Sequence, residues 1–246
     1  MIFGACSHVG KVRKENEDSF YTPGESDTAK LFMVADGIGG ENHGKLASMM
    51  VVDSVVKHVV RNYALQKNKG ELLKEAAISA NDSVLRFSKE SPEFNGMGTT
   101  LVSVLIEGQE AYISYAGDSR CYMIRNNIIS QLTIDNSYVQ YLLQKGAITI
   151  EEAQNHPQRN LITKAVGLEE TFLPEYENVE LLPGDILLIC TDGLTTMLSD
   201  EEIVHIILKK KRNIQGAAEE LVKAANSRGG IDNITAILVG CRLENG

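Results

Sequence analysis

Two apolar segments of this chain each end in an Asp-Gly pair, and they restrict the fold more than any other feature. Residues 31–35 run into Asp36-Gly37-Ile38-Gly39-Gly40, and residues 186–190 run into Thr191-Asp192-Gly193. A short apolar run without polar alternation predicts a strand buried on both faces. The glycines after Asp36 allow a tight turn and a close backbone approach to whatever the carboxylate binds. Such a carboxylate needs a cation or strong donors, although Asp36 by itself is equally well explained as a structural turn residue.

The rest of the chain predicts helices and short strands. Apolar residues at helical spacing and a Ser-x-x-Glu capping box predict helices at residues 45–63 and 71–89, short ones within 134–155, one from 199 to about 208, and one at 214–227. Further strands are predicted at residues 1–7, 18–22, 99–106, 111–116, 121–125 and 234–240. Several of these strands follow one another without an intervening helix, which indicates antiparallel pairing. The irregular residues 155–180 predict a surface flap, since long ordered loops are often functional.

Length and composition restrict the class of protein. A chain of 246 residues that is 43% hydrophobic is expected to form one domain over residues 1–246. The net charge of −9 argues against binding to nucleic acid or to anionic membranes, since both favour a basic surface. The four cysteines include no Cys-x-x-Cys pair, and neither a signal peptide nor a membrane-length apolar run is present. We therefore expect a cytoplasmic monomer with reduced cysteines.

Three aspartates occupy comparable places at the ends of predicted strands. Asp36 and Asp192 each follow an apolar strand, and Asp232 shortly precedes one. If these strand ends meet, the three carboxylates repel one another unless cations neutralise them. Oxygen ligands without Cys or His at ligand spacing favour Mg²⁺ or Mn²⁺ over Zn²⁺. A carboxylate can bridge two such ions roughly 3.5–4 Å apart, and a water held between them loses a proton near neutral pH.

Arg13 lies in a charged N-terminal loop and is the natural partner for an anionic substrate, because its planar guanidinium binds phosphate through two hydrogen bonds. It could instead be one of three surface cations together with Lys11 and Lys14. Carboxylates, hard metals and a phosphate-binding arginine together indicate hydrolysis of phosphate esters. The chain has no Gly-x-x-x-x-Gly-Lys-[Ser/Thr] loop, which argues against nucleotide hydrolysis of the P-loop kind.

An ordered set of motifs spans nearly the whole chain. These are Arg13-x-x-x-Glu17-Asp18, Val34-Ala-Asp36-Gly37-Ile-Gly39-Gly40, Gly98-Thr99-Thr100, Gly117-Asp118-Ser119-Arg120, Thr191-Asp192-Gly193 and Gly230-x-Asp232-Asn233-Ile-Thr235. The set resembles the metal-dependent protein serine/threonine phosphatases of type 2C. Residues 132–137, 146–153 and 156–163 are similar to the bacterial branch of that family. The resemblance implies an α+β fold, a four-layer α-β-β-α sandwich of two antiparallel sheets flanked by helices.

The resemblance also implies a role for each matching residue. Asp36 would bridge two Mn²⁺ or Mg²⁺ ions, the Gly37 carbonyl would bind one of them, and Asp192 and Asp232 would hold the other. Arg13 would bind the substrate phosphate. The remaining matches are Asp118, which with Asp192 would help to hold a third, weaker ion, and Glu17, Asp18 and Asn233, which would orient the ligands and bound waters from behind. Without the motifs, Asp18 and Asp118 are ordinary turn residues and Glu17 is a solvated charge.

Four positions bear on how far the family pattern applies. Bacterial relatives usually carry His where this chain has Asn136 and often Glu where it has Lys45, and neither position is an expected ligand. Ile38 cannot supply the proton that the leaving alcohol needs, a role that the resemblance implies for the His at that place in some eukaryotic relatives. His43 or a metal-bound water is a candidate substitute, although a polar loop histidine is more often merely solvated.

Three functions follow from these residues. The leading hypothesis is a cytoplasmic phosphatase that hydrolyses phosphoserine and phosphothreonine on proteins, through direct attack of a hydroxide activated by two metals, and that opposes a serine/threonine kinase acting on the same substrates. The first alternative is a catalytically silent module that binds phosphoproteins, although no expected ligand is missing. The second is a hydrolase of small phosphate esters or nucleotides that uses the same site.

Overall fold

The computed structural model describes residues 1–39, 43–90, 92–210 and 213–241. Gly40, the last glycine of the first Asp-Gly motif, lies outside these ranges. The strands are β1 (Ile2–His8), β2 (Asp18–Tyr21), β3 (Lys30–Ile38), β4 (Gly98–Thr99), β5 (Leu101–Glu107), β6 (Glu110–Ala116), β7 (Arg120–Arg125), β8 (Ile128–Gln131), β9 (Glu175–Glu180), β10 (Ile186–Cys190) and β11 (Ile234–Gly240). The helices are α1 (His43–Asn62), α2 (Lys69–Glu90), α3 (Tyr138–Gln144), α4 (Ile150–Gln154), α5 (Asp192–Thr195), α6 (Asp200–Lys209) and α7 (Ile214–Ser227), with a 3₁₀ turn at Pro92–Phe94.

The strands form two antiparallel sheets. One sheet has the order β1-β11-β10-β7-β8. The other has the order β2-β3-β5-β6-β9, and the short β4 pairs with the end of β3. β7 and β8 are joined at Asn126 and Asn127, both of which have positive φ angles of 51° and 64°, as a tight hairpin turn requires. The antiparallel pairing expected from the sequence is confirmed.

Three apolar clusters stack the elements into four layers. The cluster between the sheets includes Phe32 and Val104 from one sheet and Ile189 and Ile237 from the other. A second cluster packs the opposite face of the β3–β5 sheet against α1 and α2. A third packs the outer face of the β10–β11 sheet against α6 and α7. Alternate residues of each strand thus enter different layers, and the expected four-layer α-β-β-α sandwich is confirmed.

Several boundaries differ from the sequence-based expectation, among them the end of β3 and the predicted flap. β3 does not end at Asp36 but continues to Ile38, because Gly37 and Ile38 pair with Thr99 and Gly98. The expected flap is shorter than 155–180, because β9 forms at its end and pairs with β6 along its whole length. β9 is an exposed edge strand with three glutamates in six residues, and it lacks the apolar pattern that predicts a strand. No helix in the described ranges combines the length and the apolar character needed to cross a membrane.

Candidate functional site

The two sheets bring five aspartates to one end of the sandwich. Asp18 and Asp36 are direct cross-strand partners in β2 and β3 of one sheet. Asp192 follows β10 and Asp232 precedes β11, and these two strands are neighbours in the other sheet. Asp118 lies in the turn between β6 and β7. We call these five residues the carboxylate cluster.

Burial and mutual repulsion raise the pKa values within the cluster. Burial, followed by the charges of Asp18 and Asp192, raises the pKa of Asp36 well above its usual range. Burial, opposed by hydrogen bonds from two threonines, raises the pKa of Asp18 to about 7. Burial and the charge of Asp192 raise the pKa of Asp118 to about 7, and burial and the charge of Asp232 raise that of Asp192 to about 6. Carboxylates this close cannot all be ionised near neutral pH without added positive charge.

Two oxygens of the cluster are buried and have no hydrogen-bond partner among the described residues. Asp18 Oδ2 accepts hydrogen bonds from Thr191 Oγ1 at 2.9 Å and Thr235 Oγ1 at 2.6 Å, whereas Asp18 Oδ1 has no partner. Asp192 Oδ1 is also buried and unpartnered. Buried polar atoms are almost always satisfied, and hard anionic oxygens suit Mg²⁺ or Mn²⁺, so the donor set fits divalent ions. As the side chains stand, no three acidic, histidine or cysteine groups in the described ranges converge tightly enough to enclose an ion.

Arg13 is the cation at the edge of the cluster. Its Nη2 donates a hydrogen bond to Asp232 Oδ2 at 2.8 Å, and about half of its side chain, 51%, is exposed. The hydrogen bond to Asp232 is the main cause that raises the pKa of Arg13, and Asp36 and Glu17 add to it. Arg13 and Asp232 are more than two hundred residues apart along the chain, and the fold brings them together beside the other aspartates.

Asn233 holds the N-terminal loop against the cluster. Its Oδ1 accepts a hydrogen bond from Glu17 N at 2.8 Å, and its Nδ2 donates to the carbonyls of Val9 and Glu15, both at 2.9 Å. The loop between these contacts carries Arg13 and Glu17 itself, whose pKa is raised by burial. The buried amide therefore fixes the position of both charged side chains through main-chain contacts.

The glycines of the two Asp-Gly pairs permit close backbone packing. A Cβ on Gly37 would lie 2.2 Å from the carbonyl oxygen of Gly44, where α1 begins. A Cβ on Gly193 would lie 1.9 Å from the carbonyl oxygen of Asn233. A side chain at either position would push apart the elements that carry Asp36, Asp192 and Asp232. The tight turn expected after Asp36 does not form at Gly37, which belongs to β3.

The turn that carries Asp118 is tied to Asp36 by residues that the sequence did not single out as functional. Asp36 N donates to Thr100 Oγ1 at 2.9 Å, and that oxygen lies 2.7 Å from Ser119 Oγ. Asn136 Oδ1 accepts a hydrogen bond from Gly117 N at 3.0 Å. Hydroxyl and amide groups are common in every protein, and only the motif position of Thr100 and Ser119 could have drawn attention to them.

Two further residues at which a role was in question have ordinary contacts. The His43 ring packs edge-on against Phe94, with ring centroids 5.0 Å apart. Lys45 forms a long ion pair of 3.8 Å with Glu15, and both side chains are about half exposed. Neither contact gives its residue a proton-transfer function.

Comparisons with known proteins agree with this arrangement. The family model described as Protein phosphatase 2C matches residues 7–227. The serine/threonine phosphatase stp of Listeria monocytogenes is 36% identical over 232 residues, which cover 94% of this chain and 92% of the relative. The structure of Stp1 from Staphylococcus aureus has a TM-score of 0.91 and 32% identity, and covers 98% of this chain and 95% of that one. The catalytic domain of PstP in complex with two manganese ions has a TM-score of 0.85 and 32% identity, with 96% of each chain covered.

Proposed function

The chain belongs to the protein phosphatase 2C family, and we infer that it is a metal-dependent phosphatase acting on phosphoserine and phosphothreonine in proteins. The observation that carries this conclusion is the buried carboxylate cluster with its two unpartnered oxygens beside Arg13. An excess of buried negative charge is costly unless the site works with cations, and an arginine at its edge suits an anionic substrate.

We propose that the cluster holds two Mn²⁺ or Mg²⁺ ions through Asp36, the Gly37 carbonyl, Asp192 and Asp232. Asp118 and Asp192 would share a third, weaker ion, which is supported by the effect of the Asp192 charge in raising the pKa of Asp118. When bound, such ions supply an activated water as nucleophile and positive charge for the phosphoryl oxygens. The two manganese ions of the PstP catalytic domain support the same number here.

The protein's own groups then bind and orient the phosphate. Arg13 uses one of its five N–H groups on Asp232, so other donors are available for phosphate oxygens. Asn233 keeps the Arg13 loop in place through its three hydrogen bonds, which limits the entropy that substrate binding must remove. Thr191 and Thr235 fix Asp18 by one oxygen and leave the other to orient water in the site.

The alternatives are less well supported. A catalytically silent phosphoprotein-binding module has no reason to retain every aspartate of the cluster together with Arg13. A hydrolase of small phosphate esters would use the same residues, and the matched relatives are named as serine/threonine or protein phosphatases. We further propose a kinase that shares the substrates, and a monomer kept apart by its net charge of −9. The four free cysteines support a reducing compartment such as the cytoplasm.

Turnover of a phosphothreonine peptide with Mn²⁺ tests the proposed function. We expect the activity to disappear with a chelator and to fall by on the order of 10³-fold in Asp36→Asn. Asp82→Asn, on the exposed side of α2, is the matched control and should be fully active. Undiminished turnover in Asp36→Asn would contradict the role of the cluster. A native protein that binds Mn²⁺ in calorimetry without turnover would favour the silent module, and a higher kcat/KM for small esters would favour the ester hydrolase.

A further inference from the structure

A cavity of about 300 Å³ opens beside the carboxylate cluster. Asp118 and Asp192 line it together with residues of α3, of α4 and of the segment around Arg159. Its volume is at the lower end of the range of about 300–1,000 Å³ found for small-ligand pockets, which leaves room for one or two amino-acid side chains. The cavity and the cluster share two residues, so a substrate bound at one is within reach of the other.

Apolar side chains form part of the cavity lining. Val139 and Leu143 of α3 and Ile150 at the start of α4 line it. Ile150 is 71% exposed, although nothing in its capped helix requires a large apolar side chain at that position. An exposed apolar surface beside a polar site is typical of a place where a ligand side chain is removed from water.

Charged residues of both signs line the cavity. Each nitrogen of the Arg120 guanidinium has a partner, because Nε and Nη2 donate to the two oxygens of Asp135 and Nη1 donates to Tyr122 Oη. The guanidinium of Arg159 forms no hydrogen bond or ion pair with any residue in the described ranges. With three aspartates and two arginines in its lining, the cavity does not select a ligand by the sign of its charge, and its apolar residues are the feature that selects.

We propose that the cavity receives an apolar side chain of the protein substrate, one that lies next to the phosphorylated serine or threonine. Ile150 and Leu143 are its contact surface. The proposal rests on the proposed function, because it needs a phosphate bound at the cluster. Consecutive Cα atoms are about 3.8 Å apart, so a residue one or two positions from the phosphate can reach a cavity that begins at Asp118 and Asp192.

Phosphothreonine peptides of Gly and Ser test the proposal, each with one Leu placed from two positions before to two positions after the phosphothreonine. We expect one Leu position to raise kcat/KM about tenfold over the all-polar peptide, mostly through KM, since burial of one apolar side chain discriminates by roughly 10–200-fold. Ile150→Ser should reduce this preference to about twofold, and Ile150→Leu should keep it. Leu173→Ser is the matched control, because Leu173 is similarly exposed at 69% and does not line the cavity.

The outcomes separate the proposal from the proposed function. Hydrolysis of all peptides with no preference for Leu, or an unchanged preference in Ile150→Ser, would overturn the subsite alone. An equal loss for the peptides and for a small aryl phosphate would also overturn it, since Ile150 would then act on the site as a whole. No hydrolysis of any phosphopeptide would contradict the proposed function. A dimer in sedimentation that Ile150→Ser converts to a monomer would assign the cavity to a second copy and overturn the proposal.

Discussion

The strand β10 has an aspartate near each end, and the two are held in very different ways. Asp185, just before the strand, receives Arg125 Nε and Nη2 on both oxygens at 2.6–3.2 Å and the backbone N–H of Leu182 at 2.7 Å. Asp192, just after the strand, has a buried oxygen that no residue in the described part of the chain contacts by a hydrogen bond. The strand between them is the same short apolar run, so burial alone does not distinguish the two ends.

The two aspartates differ in whether the chain itself supplies positive charge to compensate the carboxylate. Burial would raise the pKa of Asp185, but hydrogen bonds from Arg125 and Leu182 outweigh it and lower the pKa below its usual value. At Asp192, burial and the charge of Asp232 raise the pKa to about 6, and the nearby Arg120 is already bound to Asp135. The charge of Asp185 is thus compensated by groups of the chain itself. The charge of Asp192 is compensated only when cations are supplied. An unsatisfied buried carboxylate thus distinguishes the candidate site from the other end of this strand.

The largest effect is expected from Asp192→Asn. We expect activity with Mn²⁺ to fall by on the order of 10²–10³-fold, because an amide oxygen carries no charge to hold the ions. In the metal-free protein, the free energy of unfolding at pH 7 should instead rise by about 1 kcal/mol, because one repelling charge is removed. Peptide turnover and denaturant unfolding measure the two effects. A loss of stability of more than about 1 kcal/mol in the metal-free variant would show that Asp192 is structural, as Asp185 is.

The opposite pattern is expected from Asp185→Asn. Removing one partner of a buried ion pair costs about 3–5 kcal/mol, but Arg125 is one-third exposed, so we expect a loss of about 2 kcal/mol. Activity per folded molecule should be unchanged, because the substitution lies at the other end of β10. Urea unfolding and active-site-normalised turnover provide the measurement. A variant as stable as the native protein, or one with a specific loss of turnover, would remove the contrast between the two ends.

The pH dependence of the metal-free protein separates the two kinds of carboxylate. Asp18 and Asp118, with pKa values of about 7, and Asp192, with about 6, keep protons in the folded state that the unfolded chain loses near pH 4. The free energy of unfolding should therefore fall as the pH rises from about 4 to 7, and level off above that. Asp185, with its lowered pKa, contributes stability that is lost only as the pH falls below about 4.

We expect the decline between pH 5 and 7 to be several kcal/mol, since one pKa unit in one group corresponds to about 1.4 kcal/mol and three groups titrate in this range. Saturating Mn²⁺ should remove the decline, because bound ions favour the ionised carboxylates. Thermal or urea unfolding with chelator and with Mn²⁺ measures this. Stability that rises with pH in the chelated protein would contradict the raised pKa values of the cluster.

These contrasts also show how far a sequence can be interpreted. The apolar run before Asp192 predicts both the strand β10 and the position of the Asp192 carboxylate at its end. Ser199 and Glu202 form the expected capping box. The pairing of Asp185 with Arg125 was not predictable, because sixty residues separate them and no local pattern links a turn to a strand end. β9 was missed because its alternation is of charged and polar groups, which an edge strand tolerates.

The candidate site was predictable in its members more than in their contacts. The strand-end aspartates follow from apolar runs and Asp-Gly pairs, and the motif spacing adds Arg13 and Asp118. The function of Gly193 in backbone packing depends on a carbonyl forty residues away in the chain, which no local signal encodes. The three hydrogen bonds of Asn233 likewise depend on where the N-terminal loop folds back.

The smallest effect is expected from a substitution of Asn136. This substitution tests whether Asp118 works with cations, as we propose for Asp192, or is structural, as Asp185 is. Its Oδ1 accepts the hydrogen bond from Gly117 N, so Asn136→Ala leaves that amide unpaired beside the Asp118 turn. We expect a loss of about 1 kcal/mol in the free energy of unfolding. If Asp118 works with cations, the variant should also need more Mn²⁺ for half-maximal turnover, by less than tenfold. If Asp118 is only a turn residue, stability will fall while the Mn²⁺ titration stays the same.

Asn127→Gly, in the β7–β8 hairpin away from the cluster, is the control for unspecific loosening, because glycine keeps the positive φ of 64° found there.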